Sequence, residues 1–433
     1  MRIRAGYVVR VIGVILITLV FLEIFSVAYV SFILGLGYRE LEIAKLESLH
    51  QSKDAEMSEL KFLRDKGQLH PYFGYTSVAG WGNRNNSGFI TLDGRDYPYA
   101  ADSDEFVVGI FGGSVARQIY LMTDNPEIFQ ASLMPVLKEK GYNRVTLLNF
   151  AVSAYHEPQS LFVLLYYLRT VDMAIFIEGY NEVVFTPDRE DYPVSFPWIL
   201  VWGPLVGKGL SSSTMETVGR LTLINEKEEK WTRLFVTPVM RQSMFCHLLW
   251  KARINHLSKV KNGLRIELKD GLMDDLSYAR LVPPGFEHRD RIEMYIEDYI
   301  SYLRTAHYAS LAADVPSFFV LQPNQYLEGS KTLSKKEINE YVTAAETKET
   351  VNLYYPQLRK VYTQLAAEGL NTIDLTQVFA NEKGTTYSDS CCHVNSKGRT
   401  IIREAIIDEI LQREKWKTVI PRASERPNRL IRQ

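Results

Sequence analysis

Residues 106–116 read FVVGIFGGSVA, an apolar run that ends in two glycines and a serine before the pattern turns helical. A run apolar on both faces predicts a strand buried inside a parallel sheet. Gly112 and Gly113 permit a tight turn, and Ser114 then stands at the start of a helix with its hydroxyl at the strand's carboxyl edge. Taken alone, Gly-Gly-Ser is an ordinary strand-to-helix turn. It is not a phosphate loop, because the Gly-Lys-Ser/Thr that would contact phosphate and magnesium is missing.

Four further runs repeat the pattern: 145–150 (VTLLNF), 174–178 (AIFIE), 317–321 (SFFVL) and 371–375 (NTIDL). Helix-like segments separate most of them, which predicts an α/β fold with a buried parallel sheet covered by helices on both faces. The last helix is expected to start after Asn395 or Ser396, either of which can cap it. It then places Ile401, Ile402, Ala405, Ile406 and Ile410 on one face.

The chain has 433 residues, 46% hydrophobic and 12% aromatic, enough apolar material for a large core. Fifty Lys and Arg against 51 Asp and Glu leave a formal charge of −1, so no global field attracts nucleic acid. Cys246, Cys391 and Cys392 are too few for a disulfide scaffold. No metal and no cofactor is called for.

Residues 11–38 form an apolar stretch whose one charge is Glu23, long enough to span a bilayer with some tilt. The competing reading is a cleaved signal peptide, with 11–22 as its apolar region and Ser26-Val27-Ala28 as the cleavage site. Arg2, Arg4 and Arg10 precede the stretch, which places residues 1–10 in the cytoplasm and residues 39–433 outside it, in the periplasm if the source is Gram-negative. Glu23 falls near the middle, where an ionised carboxylate is expensive; it reads either as a contact with a membrane partner or as a tolerated neutral acid.

Residues 39–68 are expected as a helical stalk, and the globular part at 69–412, opening on His70-Pro71-Tyr72-Phe73-Gly74. Residues about 185–295 exceed what a compact sheet needs and read as an insertion, carrying Trp198, Trp202, Trp231 and Trp250. Residues 413–433 hold seven Lys and Arg against two Glu and read as a loose basic tail.

The chemistry is expected where strands end. After 145–150 comes a small-residue turn, Ala151-Val152-Ser153-Ala154, then His156 and Glu157, which suit a helix start or a pocket wall. After 174–178 comes Gly179-Tyr180-Asn181-Glu182, in which Asn181 alone would read as a turn or cap residue. Gln322 and Asn324 follow 317–321. After 371–375 comes Asp389-Ser390-Cys391-Cys392-His393. The two cysteines read as buried fillers or as a vicinal disulfide; a Cys/Cys/His metal site lacks a fourth ligand.

The ordered set of serine, small-residue turn, Gly-x-Asn, then Asp and His resembles the SGNH (GDSL-type) hydrolases. The resemblance covers roughly 104–190 and 315–412. It implies a flavodoxin-like three-layer α/β/α sandwich with Ser114 as nucleophile, His393 as general base and Asp389 as the residue that orients it. The oxyanion would be held by the Ser114 N–H, the Ala154 N–H and the Asn181 amide. Three departures stand out. Gly-Asp-Ser is Gly-Gly-Ser here, the glycine position is an alanine, and Asp-x-x-His is one residue longer, with Ser390 where the acid usually sits.

The function so implied is a membrane-anchored serine esterase that removes an acyl group, such as acetyl, from an envelope carbohydrate or lipid. An O-acyltransferase passing the acyl group to a polysaccharide hydroxyl uses the same residues, and would need a membrane-protein partner to supply its donor. A non-catalytic glycan-binding scaffold of an envelope complex is the third reading.

Overall fold

The computed structural model describes residues 5–33, 67–80, 83–184, 210–235, 237, 240–275 and 288–425, without the side chains of 5–12, 15, 33, 241, 273–275 and 288–294. In chain order the elements used below are α1 (Ala5–Ile33), β1 (Gly67–His70), β2 (Gly74–Ser77), β3 (Glu105–Gly112), α2 (Ser114–Tyr120), α3 (Asn125–Leu137), β4 (Arg144–Ala151), α4 (Gln159–Tyr167), β5 (Met173–Glu178) and α5 (Tyr180–Val184). They continue with α6 (Ser212–Phe235), α7 (Met244–Asp275), α8 (His288–Leu311), β6 (Ser317–Leu321), α9 (Ala345–Ala367), β7 (Asn371–Asp374), α10 (Ser396–Leu411) and α11 (Lys415–Val419). Residues 39–66 of the expected stalk, Trp198, Trp202 and the start of the insertion at 185–209 lie outside the described residues; the last two stalk positions, Gly67 and Gln68, belong to β1 and not to a helix.

The chain divides into two compact units, one of residues 1–65 and 207–275, the other of residues 66–206 and 276–433. The larger unit holds a five-stranded parallel sheet in the order β4-β3-β5-β6-β7. Counted from β3, that is 2-1-3-4-5, a doubly wound order compatible with a flavodoxin-like sandwich. Each of the five apolar runs forms a strand, with no end shifted by more than one residue. Phe111 stacks on Phe150 on one side and on Phe176 on the other, and Phe176 stacks on Phe319, so one aromatic row crosses four strands. Helices α3, α2 and α10 form one contiguous layer, and α4, α8 and α9 another. α10 starts as expected: the Asn395 side chain accepts the Gly398 N–H at 3.0 Å.

The basic C-terminal stretch is not loose over its first part. Trp416 in α11 is buried and donates its indole N–H to the Ile410 carbonyl at 2.7 Å, and Tyr142 donates to the Pro421 carbonyl at 3.2 Å. Apolar burial of one tryptophan outweighs the local excess of positive charge.

The smaller unit joins α1 to an antiparallel pair, α6 and α7. Part of the expected insertion is therefore a helical hairpin packed on the N-terminal helix. Its aromatic residues include core: Trp250 is buried and stacks on Phe235 at 4.9 Å. Helix α1 counts 29 residues, but its unbroken run of described side chains is 16–32. Among the described residues, no helix is long and apolar enough to cross a membrane.

Candidate active site

In a doubly wound sheet the ligand crevice opens outside the carboxyl ends of the strands, where the strand order reverses. Here the reversal lies between β3 and β5, and their carboxyl ends lead into Ser114 and Asn181. Gly112 makes the turn possible. Its φ is +126, and a Cβ there would collide with the Ile177 carbonyl of the neighbouring strand. Gly179, at the end of β5, has φ +125 for the same kind of turn.

Ser114 Oγ lies 2.7 Å from His393 Nε2, and His393 Nδ1 is hydrogen-bonded to the Asp389 carboxylate. The other Asp389 oxygen accepts the backbone N–H of Cys391 at 2.9 Å and of His393 at 3.3 Å. Asp389, not Ser390, faces the imidazole. The extra residue in the Asp/His block is absorbed by this side-chain turn, which the Ser388 N–H to His393 carbonyl bond closes at 3.0 Å. Ser390 is exposed and offers its carbonyl to Tyr326. Burial pushes the Asp389 carboxyl up, but the His393 imidazole and the two backbone N–H groups outweigh it and hold the group below its ordinary range. Asp389 is thus a carboxylate at neutral pH and an acceptor for an Nδ1 proton, the tautomer in which Nε2 accepts from Ser114.

Three N–H groups lie on the segments around the serine, at Ser114, Ala154 and Asn181. Ser114 opens α2, and the first N–H groups of a helix have no intrahelical acceptor. Ala154 adopts φ +64, a left-handed conformation rare for alanine, in the turn closed by the Tyr155 N–H to Val152 carbonyl bond at 3.1 Å. Asn181 donates one amide hydrogen to the Tyr155 carbonyl at 2.7 Å, and the same nitrogen lies against Gly113, the residue before the serine. An amide nitrogen carries two hydrogens, so one remains for a substrate oxygen. The structure thus joins Ser114, His393 and Asp389 by hydrogen bonds and sets Asn181 against Gly113, with the Ala154 turn tied to Asn181 through Tyr155.

His156 and Glu157 are fully buried, and Glu157 serves the start of α4 by accepting the Leu161 N–H at 3.2 Å. Gln322 and Asn324 are also buried; Asn324 accepts the Tyr326 N–H at 2.9 Å. Cys391 and Cys392 are free thiols with sulfurs 3.1 Å apart. Burial pushes the Cys392 thiol up, which keeps it protonated. Their sulfurs and a ring nitrogen of His393 lie within 4.8 Å of one another, the one such donor group among the described residues. Both ring nitrogens already face Asp389 and Ser114, so a metal there would have to displace one of them.

Several supporting residues carry no sequence signal of their own. Tyr75 in β2 donates to the Ser153 carbonyl at 3.1 Å and accepts, through its own carbonyl, the Tyr155 hydroxyl at 2.6 Å, so the small β1-β2 hairpin holds the Ala154 turn. Gln325 donates to the Asp389 carbonyl at 3.0 Å. Glu337 is buried with Lys331 and accepts the backbone N–H groups of Thr386 and Tyr387 at 2.8 and 3.1 Å, anchoring the segment that leads into Asp389. Beneath Asn181 lie three buried carboxyls, Glu157, Glu178 and Glu182. Burial pushes Glu157 up to about 8, Glu182 to about 7 and Glu178 well above its ordinary value, and the neighbouring carboxyls add to the rise at Glu157 and Glu178. Glu182 also accepts the Gly179 N–H at 2.7 Å, the Glu half of a capping box on the short helix that carries Asn181. A spacing-based search for Ser/Thr-x-x-Glu misses it because the cap is a glycine.

No protein-family model and no curated protein matches this chain.

Proposed function

We propose that the protein is a membrane-anchored serine esterase of the SGNH type, acting through an acyl-serine on an acylated envelope carbohydrate or lipid. The observation that carries the reading is the hydrogen-bonded line from Asp389 through His393 to Ser114 Oγ, the last step 2.7 Å long. Ser114 attacks the ester carbonyl as His393 Nε2 takes its proton, and Asp389 stabilises the imidazolium. The negative oxygen of the tetrahedral intermediate is received by the Ser114 and Ala154 N–H groups and the free amide hydrogen of Asn181. Collapse returns the proton from His393 to the departing alkoxide, and water, activated by the same imidazole, releases the acid.

Anchoring is supported by α1 itself, whose exposed described side chains are apolar but for Thr18 and the Tyr29 hydroxyl, from Val14, Leu16 and Ile17 to Ile24, Phe25 and Phe32. A helix apolar on nearly all sides is at rest in hydrocarbon and not in water.

The test is covalent labelling of the full-length protein with a fluorophosphonate probe, mapped by mass spectrometry. Labelling at Ser114 that disappears in Ser114→Ala and drops sharply in His393→Ala supports the reading, and none in folded protein overturns it. Adding an acylated substrate with and without a sugar acceptor then distinguishes hydrolysis from O-acyl transfer.

A further inference from the structure

Glu23, the lone charge of the apolar stretch, is occupied. Its carboxylate accepts the Ser243 hydroxyl at 2.5 Å, the Met244 N–H at 2.6 Å and the Phe245 N–H at 3.2 Å. These are the residue before α7 and its first two N–H groups, donors that a helix leaves unsatisfied and that carry the positive end of its dipole. The contact is lined by apolar packing: Val30 against Met244, with Val27 and Leu248 beside them. Helix α7 therefore leaves Glu23 and follows α1 toward the end of α1.

We propose that the tip of the α6-α7 hairpin enters the bilayer beside the carboxyl half of α1, with lipid as its other neighbour. The inference rests on the anchoring reading and goes beyond it, from one helix in the membrane to three. Counted from Val11 at about 1.5 Å per residue, Glu23 lies about 18 Å into a hydrocarbon core about 30 Å thick, near its middle. Whatever binds Glu23 side by side sits at that depth.

The hairpin is graded to match. Residues 234–250, LFVTPVMRQSMFCHLLW, contain no Asp, Glu or Lys and one Arg, at 241. Away from the tip, α6 and α7 are held by polar pairs, Lys261 with Glu228, and Glu267 with Thr217 at 2.7 Å and with Arg220 at 3.4 Å. Near the tip Phe235 stacks on Trp250, while Leu234 and Leu249 are 48% and 50% exposed. Trp250 keeps its indole N–H on Thr232 at 3.3 Å. Three backbone N–H groups of the tip are met within the chain, as a bilayer requires: Thr237 N–H goes to the Leu234 carbonyl, Ser243 N–H to Met240, and Cys246 N–H to Ser243 Oγ at 3.1 Å. A carboxylate bound by Ser243 and two helix N–H groups needs no water.

The experiment uses the full-length protein in liposomes, with Cys246, Cys391 and Cys392 replaced by serine and single cysteines introduced as L19C, L249C or I266C. A membrane-impermeant maleimide is added before and after detergent. Far-UV circular dichroism confirms folding of each variant. The expected result is rapid labelling of I266C, and labelling of L19C and L249C slower on the order of tenfold or more until detergent is added, because the reactive thiolate is disfavoured in hydrocarbon. Fast labelling of L249C with L19C protected overturns the proposal and leaves the anchor standing. Fast labelling of both overturns the anchor as well. Quenching of a bimane on L249C by brominated lipids is expected; its absence, with the site protected, means protein and not lipid covers the tip, and also overturns the proposal.

Discussion

Gly113 and Asn181 are in register across the crevice: a Cβ on Gly113 would overlap the Asn181 amide nitrogen and come within 3.2 Å of the Tyr155 carbonyl that holds it. The residue before Ser114 must be glycine for the Asn181 amide to be where it is. Gly113→Ala is accordingly expected to cost activity while Ser114, His393 and Asp389 are all intact. The measurement is kcat and KM on a chromogenic acetyl ester: kcat falls, and a Gly113→Ala enzyme with unchanged kcat would show that the Asn181 amide is not used.

Truncating the amide directly should have the larger effect. Asn181→Ala removes one oxyanion donor and should lower kcat about 10²- to 10³-fold, about 2.7–4 kcal/mol of transition-state stabilisation. KM should change little, because the interaction strengthens only as charge develops. A loss confined to KM would assign Asn181 to ground-state binding.

Asp389→Asn should lower kcat further, on the order of 10⁴-fold, by presenting the wrong partner to His393 Nδ1. Ser390→Ala should be nearly silent, since Ser390 is exposed and engages only through its backbone carbonyl. The reverse order of effects would assign the orienting of His393 to the Ser390 hydroxyl in place of the Asp389 carboxylate.

Stability is expected to peak at weakly acidic pH. The raised carboxyls Glu157, Glu178 and Glu182 hold their protons more tightly folded than unfolded. What they contribute is therefore full below their ordinary value of 4.5 and is lost as pH climbs through about 7 to 8. Glu337 and Asp389 have the opposite sign. Burial raises both, but Lys331 and three backbone N–H groups outweigh it at Glu337, as His393 does at Asp389, so both are depressed and their contribution is lost as pH falls below the ordinary carboxylate range. Melting temperature against pH should pass through a maximum near about pH 5 to 6, and Glu178→Gln should flatten the alkaline limb. An unchanged alkaline limb in that variant would mean the cluster is not protonated at neutral pH.

Glu337→Ala leaves Lys331 buried and unpaired and removes the acceptor for Thr386 and Tyr387, so a loss of about 3–5 kcal/mol is expected. Chemical denaturation measures it. Fluorophosphonate labelling at Ser114 should fall in the same variant even where it remains folded, because the segment that presents Asp389 and His393 has lost its anchor.

The strands were legible because parallel-sheet interiors are written as unbroken apolar runs, and 106–111, 145–150, 174–178, 317–321 and 371–375 all became strands. The order of Ser114, Asn181 and His393 was legible because each follows a strand and so reaches the same sheet edge. Glu178 was not: one acid ending the apolar run AIFIE reads as a strand end facing water, and only its packing against Glu157 and Glu182 makes it a buried carboxyl. Tyr75 likewise needs the fold before its hold on Ser153 and Tyr155 can be seen. The pairing of Glu23 with Ser243 crosses 220 residues of chain, and no local pattern encodes it.

Ser114 and His393 are separated by 279 positions and meet only when α10 has docked against α2. Ser114 is made well before its partner His393. A growing chain therefore carries Ser114 without that partner until the segment holding His393 and α10 has been built and docked, and probe reactivity at Ser114 is expected to report that docking.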